Sequence, residues 1–217
     1  MSLISKIRCA FTLGQGVLIE NEALKKTEDP FEFFNGWLKQ AENNGIILPE
    51  SMSISTCSTE GRPSSRMVLL KEVDQKGFVF FTNYGSRKAT ELEANPYAAL
   101  LFHWNILQRQ VRIEGTIERI SKEESNAYFQ SRGRGSRIGA WASHQSQELD
   151  DRETLVQRVK YYEDKFAGKE VPLPEFWGGY RVVPDKIEFW QGKADRLHDR
   201  FVYQPVNNEW KMTRLNP

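Results

Sequence analysis

The sequence predicts a mainly β domain with flanking helices, an α+β chain whose antiparallel strands form a small barrel or sandwich. Between Met52 and Ile120 apolar and polar residues alternate, which places every second side chain on one face of a half-buried strand. Turn-forming residues interrupt this alternation at hairpin spacing, for example Asn83 with Gly85. Further strands follow Pro174 without a linker or repeat, and they are predicted over Gly179 to Val183, Lys186 to Gln191, Leu197 to Tyr203 and Trp210 to Leu215. Both sets are therefore predicted to complete one sheet.

Four helices are predicted to pack outside this sheet. The first begins at Asp29 and Pro30, because an acidic N-cap followed by proline suits the first turn of a helix. The second begins at Ser86 and is ended by Asn95 and Pro96. A capping box and an apolar side predict the other two, over Ser121 to about Gln130 and around Leu155 to Phe166.

Length and composition indicate one domain in a reducing compartment. The chain has 217 residues, of which 39% are hydrophobic, and this can supply a buried core. Residues 1–28 show little periodicity and are interpreted as an N-terminal arm before a single domain at 29–217. Cys9 and Cys57 lack the spacing of a disulfide framework or a metal site. We therefore predict no metal and a cytoplasmic location, with a mitochondrial one as the minor alternative because no acidic residue precedes Glu20.

The overall charge argues against two classes of partner. Lys and Arg total 30 against 29 for Asp and Glu, so the net charge of +1 provides no broad surface for nucleic acid or an anionic membrane. No apolar run approaches the ~20 residues that span a bilayer. Any anion site must therefore be local.

Two pairs of cations are candidates for such local sites. Arg87 and Lys88 fall in the first turn of the second helix, where cations are unfavourable unless an anion binds there. The alternative is that both side chains simply extend into water. Arg66 and Lys71 bracket an apolar run, and their odd separation points them to opposite faces of a strand. They are therefore predicted to serve two different anions.

A second group suits a phosphate monoester. Tyr128 and Arg132 are four residues apart and share a helix face, and Ser136 follows across a turn with Gly133 and Gly135. Hydroxyl, guanidinium and hydroxyl groups together are good ligands for phosphate. A tyrosine and an arginine at this spacing also form ordinary surface pairs, so the group alone is weak.

The segment from Glu188 to Phe201 carries the strongest pattern. Arg196, His198 and Arg200 alternate with other residues and are predicted to project from one face of a strand spanning Leu197 to Tyr203. Two cations beside a histidine lower its pKa unless an anion compensates, which leaves a neutral imidazole near pH 7. The alternative is a surface strand whose arginines pair with neighbouring aspartates. Aromatic residues before it, Trp190 among them, suit a heterocycle or a core.

Ordered blocks of sequence resemble one family, that of pyridoxamine 5′-phosphate oxidase. The resemblance runs from about Asp29 to Pro217 and includes RMVLLK from Arg66, FTNYGSRK from Phe81, RQVRIEG from Arg109, IGAWASHQS from Ile138, WGG from Trp177 and EFWQGKADRLHDRF from Glu188. It implies an antiparallel Greek-key split β-barrel that binds flavin mononucleotide (FMN), and a homodimer whose two flavin sites lie at the interface.

The resemblance also implies residue roles. The FMN contacts are Arg66, Met67, Val68, Leu69, Leu70, Lys71, Phe81, Thr82, Arg87, Lys88, Gln110, Gln145, Ser146, Trp190 and Arg200. The substrate contacts are Lys71, Tyr128, Arg132, Ser136, Arg196, Leu197, His198 and Arg8, with Arg196 and His198 as catalytic candidates.

The implied reaction belongs to vitamin B6 metabolism. Pyridoxamine 5′-phosphate or pyridoxine 5′-phosphate gives a hydride to the flavin, dioxygen takes the electrons to form hydrogen peroxide, and the product is pyridoxal 5′-phosphate. Three positions depart from the family: Phe11 lacks the hydroxyl of an arm tyrosine, Gly133 replaces a proline, and Phe81 replaces a common tyrosine. A non-catalytic carrier of FMN or pyridoxal phosphate, and a split-barrel FMN oxidoreductase with another substrate, remain alternatives.

Overall fold

The computed structural model describes residues 29–207 and 209–217. The predicted arm at 1–28, which includes Arg8 and Phe11, lies outside the described residues. Within the described part, no helix is long and apolar enough to cross a membrane. The cytoplasmic location stays a prediction.

Nine antiparallel strands form the sheet that was predicted. They are β1 (Ser51–Cys57), β2 (Pro63–Leu69), β3 (Glu72–Asp74), β4 (Gly77–Asn83), β5 (Tyr97–Trp104), β6 (Arg109–Arg119), β7 (Trp177–Gln191), β8 (Asp199–Val206) and β9 (Glu209–Leu215). The main path is β2-β1-β5-β6-β7-β4-β3, and β8 pairs with β7 and β9. The strands at the two ends of this path are consecutive in the chain. Lys71, just after β2, donates its backbone N–H to the carbonyl of Val79 in β4 at 2.8 Å, so the sheet curls until its ends meet.

Within residues 29–207 and 209–217, five α-helices surround the barrel: α1 (Pro30–Asn43), α2 (Arg87–Ala94), α3 (Lys122–Ser131), α4 (Arg134–Ala142) and α5 (Arg152–Lys165). The predicted caps of α1 and α3 are confirmed. The Asp29 carboxylate accepts the backbone N–H groups of Phe31 and Glu32, and Ser121 with Glu124 forms a reciprocal capping box. These contacts satisfy N–H groups that have no partner inside the helix.

Aromatic rings fill much of the barrel interior. Phe34 on α1 is fully buried and lies 5.1 Å from Phe78 and 4.9 Å from Phe102, ring centre to ring centre, in edge-on geometry. A smaller apolar cluster, which includes Phe129 and Trp177, lies under α3, α4 and α5. The two apolar clusters hold the helices against the sheet, and this packing determines where the side chains at the helix–sheet boundary lie.

Three predicted boundaries were wrong. Instead of two strands interrupted near Pro184, β7 is one strand of 15 residues, with a register shift opposite Glu114 and Gly115 in β6. Ser136 lies inside α4 rather than after a glycine turn, because Gly133 is only the N-cap. β8 begins at Asp199, not at Leu197, so neither Arg196 nor His198 belongs to a strand.

Candidate functional site

A cleft with a volume of about 510 Å³ lies beside β2 and β4. Its walls combine the ends of these strands with α2, α3 and α4. They are Met67, Val68, Leu69, Lys71, Phe81, Thr82, Asn83, Lys88, Tyr128, Arg132, Ser136, Gly139, Ala140, Ser143, Gln145 and Trp177. Aromatic faces and cations line the same space, which suits a planar anionic ligand.

Lys88 is a buried cation at the base of this cleft. Its Nζ contacts three neutral oxygens, those of Thr82 at 2.9 Å, Ser86 at 3.2 Å and Gln145 at 2.9 Å. No carboxylate pairs with it among the described residues. Burial and, to a smaller extent, the neighbouring charge of Arg66 lower the pKa of Lys88 to about 8. A buried ammonium without a counterion, in the first turn of α2, fits an anionic group such as the phosphate of FMN.

Arg66 and Arg87 meet at a single carboxylate, that of Glu91. Nη2 of Arg66 lies 3.2 Å from Oε2 of Glu91, and Nε of Arg87 lies 2.8 Å from Oε1. This pairing gives Arg87, one of the two cations of α2, a carboxylate partner within the chain. It also shows that Arg87 does not simply extend into water.

Stacked rings hold the second cation group of the cleft. The rings of Phe81 and Tyr128 are 3.9 Å apart and nearly parallel, and Trp177 lies 5.4 Å from Phe81. The guanidinium of Arg132 lies over Trp177, 4.8 Å from the ring centre. Its Nη1 is buried and has no hydrogen-bond partner, while desolvation lowers the pKa of Arg132. An unsatisfied buried donor at the edge of a cleft indicates a missing acceptor.

The cations of the C-terminal segment lie elsewhere. Gln110, Trp190 and Arg200 form one row across β6, β7 and β8, since each is paired in register with the next. Arg200 donates to the buried carboxylate of Glu188 through Nε and Nη2, both at 2.8 Å. The predicted alternative, in which the arginines of this segment pair with neighbouring aspartates, does not hold for Arg200.

Arg196 and His198 belong to a turn beside this row. Asp195 and Arg196 both have left-handed backbone conformations, with φ of 56° and 62°. Such a pair costs free energy that the surrounding structure must offset, and it is typical of functional segments. The rings of His198 and Trp190 lie 4.6 Å apart, so the turn is next to the Gln110, Trp190 and Arg200 row.

The protonation state of His198 follows from two contacts. Burial and then the charge of Arg196 lower its pKa, as predicted, so the imidazole is neutral near pH 7. The backbone N–H of Lys193 donates to Nδ1 at 3.2 Å. The proton of the neutral ring is therefore on Nε2, and only Nε2 is free to act on a ligand.

The cleft brings together most of the predicted residues of its own half. It contains eight predicted flavin contacts: Met67, Val68, Leu69, Lys71, Phe81, Thr82, Lys88 and Gln145. It also contains the four predicted phosphate ligands of the substrate: Lys71, Tyr128, Arg132 and Ser136. Four further flavin contacts adjoin these residues in sequence without lining the cleft: Arg66, Leu70, Arg87 and Ser146.

The remaining predicted residues do not line the cleft: Gln110, Trp190, Arg196, Leu197, His198 and Arg200. Trp190 is thirteen residues beyond Trp177 on β7, which corresponds to about 40 Å along a strand. The predicted site is therefore divided into a cleft group and a C-terminal group. Their roles stay predictions.

Sequence reasoning missed two acidic residues that hold predicted ligands. Glu91 contacts Arg66 and Arg87, and Glu188 contacts Arg200. The spacing of Arg87 and Glu91 on one helix was the available signal for the first, since residues four apart are neighbours. Pairing across β7 and β8, which gives the second, requires a register that sequence alone does not supply.

The barrel topology defines the class of the protein as a split β-barrel. A structure of an FMN-binding protein from Nostoc punctiforme related to pyridoxamine 5′-phosphate oxidase shares this fold, with a TM-score of 0.70 at 15% identity, over 87% of this chain and 98% of that one. The structure of PhzG from Burkholderia lata 383, in complex with tetrahydrophenazine-1-carboxylic acid, has a TM-score of 0.86 at 31% identity, over 94% and 100%.

The chain belongs to the pyridoxamine 5′-phosphate oxidase family. Residues 38–166 match the family model described as pyridoxamine 5′-phosphate oxidase, and residues 177–217 match the pyridoxine 5′-phosphate oxidase C-terminal dimerisation region. Pyridoxine/pyridoxamine 5′-phosphate oxidases from Psychromonas ingrahamii and Colwellia psychrerythraea are 82% and 55% identical, each over the full length of both chains. The predicted resemblance and fold are confirmed, and the dimerisation region supports the predicted homodimer.

Proposed function

We propose that the protein is an FMN-dependent oxidase that converts pyridoxamine 5′-phosphate and pyridoxine 5′-phosphate to pyridoxal 5′-phosphate. Dioxygen is the electron acceptor and is reduced to hydrogen peroxide. When the substrate is the amine, oxidation gives an imine, which water hydrolyses to the aldehyde with release of ammonia. The family and its relatives support the substrate class. The observation that carries the proposal is the presence of two separate cationic groups, around Lys88 and around Arg132, in one cleft, since both FMN and the substrate bear a phosphate.

Lys88 is the proposed ligand of the FMN phosphate. It is a buried cation with three neutral oxygen partners, and α2 begins beside it. Thr82 and Gln145, which contact its Nζ, also line the cleft and complete this end of the flavin site. The bound phosphate would supply the counterion that Lys88 lacks.

Arg132 is the proposed ligand of the substrate phosphate, together with Lys71, Tyr128 and Ser136. Its unsatisfied Nη1 provides a donor, and the stack on Trp177 fixes the plane of the guanidinium. A phosphate bound here anchors the pyridine so that its reacting carbon is held in one place. Phosphorylated vitamers are therefore preferred over free ones.

The C-terminal group is proposed to act on the site of the partner subunit. Its residues do not line the cleft of their own chain, and all of them except Gln110 lie within the dimerisation region at 177–217. Each complete site of the homodimer would then combine the cleft of one protomer with Gln110, Trp190 and Arg200 of the other. Two such sites follow from two-fold symmetry.

Within that composite site, Arg196 and His198 would cover the substrate. FMN, when bound, accepts a hydride from the substrate and passes the electrons to dioxygen. His198 would present Nε2–H to the substrate, because Nδ1 already accepts a hydrogen bond. Arg196, exposed on its left-handed turn, would hold the ring against the flavin. These residues orient the substrate, and His198 is the candidate for proton movement.

One assay separates this proposal from its two alternatives. Purified protein is expected to bind FMN and to form pyridoxal 5′-phosphate and peroxide from pyridoxamine 5′-phosphate. Bound FMN without turnover of any phosphorylated vitamer would favour a carrier. Turnover of a phenazine precursor alone, as the similarity to PhzG suggests for testing, would favour another substrate. A protein that takes up no FMN would contradict all three.

A further inference from the structure

A buried carboxylate lies behind the cations of the flavin half. Glu91 is one turn after Arg87 on α2, and its side chain is 9% exposed. Oε2 accepts hydrogen bonds from Oγ of Ser64 at 2.6 Å, from Oγ1 of Thr56 and from Nη2 of Arg66 at 3.2 Å. Oε1 accepts from Nε of Arg87 at 2.8 Å. Three elements of the barrel therefore converge on one carboxylate.

This network keeps Glu91 ionised. Burial alone would raise its pKa, but hydrogen bonds from Ser64, Thr56, Arg87 and Arg66 outweigh it and lower the pKa of Glu91 to about 2. Glu91 therefore carries a negative charge at neutral pH. Each arginine is held by a charge-assisted bond rather than by packing alone.

The two arginines are held in different ways. Arg66 donates hydrogen bonds through Nη1 to Thr56 and through Nη2 to Ser64 and Glu91, so both terminal nitrogens of its guanidinium group have partners within the chain. Arg87 is attached only through Nε, and none of the hydrogen bonds within the described residues uses its Nη atoms. Its side chain is 65% exposed beside Lys88. A guanidinium anchored in this way offers both terminal nitrogens to a phosphate.

We infer that Glu91 is a positioning residue that holds Arg66 and Arg87 in the arrangement that selects a phosphorylated flavin over an unphosphorylated one. This inference rests on the proposed function, because it assumes that FMN occupies the cleft. Glu91 itself touches no ligand; it acts through the arginines.

A purely electrostatic role and a positioning role for Glu91 predict opposite changes in FMN affinity when its charge is removed. Removing a carboxylate near a phosphate site would strengthen phosphate binding if Glu91 only contributed negative potential. If it positions the arginines, removing its charge weakens FMN binding, because Arg87 loses its anchor and must be ordered by the ligand. Riboflavin has the same ring system without the phosphate and should be unaffected.

The test compares the affinities of full-length Glu91→Gln and wild type for FMN and for riboflavin, by quenching of flavin fluorescence after removal of bound flavin. We expect Glu91→Gln to weaken FMN binding about tenfold and riboflavin binding less than about twofold. Tighter FMN binding, or equal weakening of both ligands, would overturn the inference.

Two further variants make the result specific. Glu93→Gln is the matched control, since Glu93 is on the same helix and pairs with Arg119 at 2.8 Å and with the hydroxyl of Tyr180 at 2.5 Å. It should leave the ratio of the two affinities unchanged. Glu91→Asp keeps the negative charge but moves it one methylene away from the arginines. It should therefore also weaken FMN binding more than riboflavin binding. If Glu91→Gln does not fold, the ratio of the two affinities in Glu91→Asp tests the inference. Failure of wild type to bind FMN would instead contradict the proposed function.

Discussion

The residues of the cleft group are held in place by contacts within one chain, whereas part of the C-terminal group is exposed. The cleft holds Lys88 and Arg132 in fixed positions with partners around them, although each still lacks an anion. In the C-terminal group, Arg196 is exposed and Leu197 is 69% exposed on a left-handed turn. An exposed, conformationally costly turn is explained if another surface covers it. This difference supports the proposal that one protomer supplies a binding site and its partner supplies the cover.

The largest effect is expected where the cleft meets the substrate phosphate. Arg132→Gln removes the charged donor and should lower kcat/KM for pyridoxamine 5′-phosphate by about 100-fold, mainly through KM. Unphosphorylated pyridoxamine, turned over poorly by both proteins, should show little change.

Arg134→Gln is the control for this variant. Arg134 is two residues away, but it donates to the carbonyls of Lys169 at 2.8 Å and Phe166 at 2.6 Å, outside the cleft. Its kcat/KM should stay within about threefold of wild type. A similar loss in both variants would show that the effect of Arg132 is structural.

A smaller effect should divide the C-terminal group itself. Arg196→Ala is expected to lower kcat/KM for the substrate by about tenfold or more while FMN retention is unchanged. Arg200→Ala removes a residue held by Glu188 in the Gln110 and Trp190 row, and it should mainly weaken FMN retention. Turnover kinetics and flavin content after dialysis measure the two effects. Equal, small changes in both assays for both variants would contradict the division.

The smallest effect concerns pH and tests the flavin end of the cleft. The pKa of Lys88 is lowered to about 8, so Lys88 loses its charge as pH rises through that value. FMN affinity relative to riboflavin should therefore fall by up to about tenfold between about pH 7 and pH 9. Because bound phosphate favours the charged form, the midpoint in the complex lies above that of the free protein.

The variant Lys88→Met provides the control for this pH dependence. It should bind FMN weakly at neutral pH and show a flat FMN-to-riboflavin ratio over the same range. A pH dependence that persists in Lys88→Met would assign the titration to another group. Stability has its own sign: since the folded pKa of Lys88 is below the unfolded value, its contribution rises as pH increases from about 8 towards 10.5.

Local signals in the sequence predicted much of the fold. The caps at Asp29 and Ser121 and the alternation in β1 and β6 depend on neighbouring residues, so they can be recognised along the chain. The start of β8 was predicted wrongly. The alternation of Arg196, His198 and Arg200 resembles that of a strand, although the backbone turns at Asp195. The same pattern can arise from a turn that aims side chains at a partner.

The candidate site was predictable only in part, because the contacts that assemble it join residues distant in the sequence. Resemblance to the family supplied the residues, whereas spacing alone left each cation with an ordinary surface alternative. The set of residues that line one cleft depends on the curl of the barrel and on the length of β7. The sequence pattern predicted two strands, separated near Pro184, in place of β7. Glu91 was missed because its partners Thr56, Ser64 and Arg66 come from distant strands.

Subunit complementation tests the central claim most directly. Arg132→Gln and Arg196→Ala, each impaired alone, are co-expressed with different tags so that mixed dimers form. If each site combines the cleft of one protomer with the turn of the other, a mixed dimer has one intact site and one doubly altered site. A random mixture should then recover about a quarter of wild-type activity. Activity no greater than the average of the two parent variants would show that each chain builds its own site and would contradict the account.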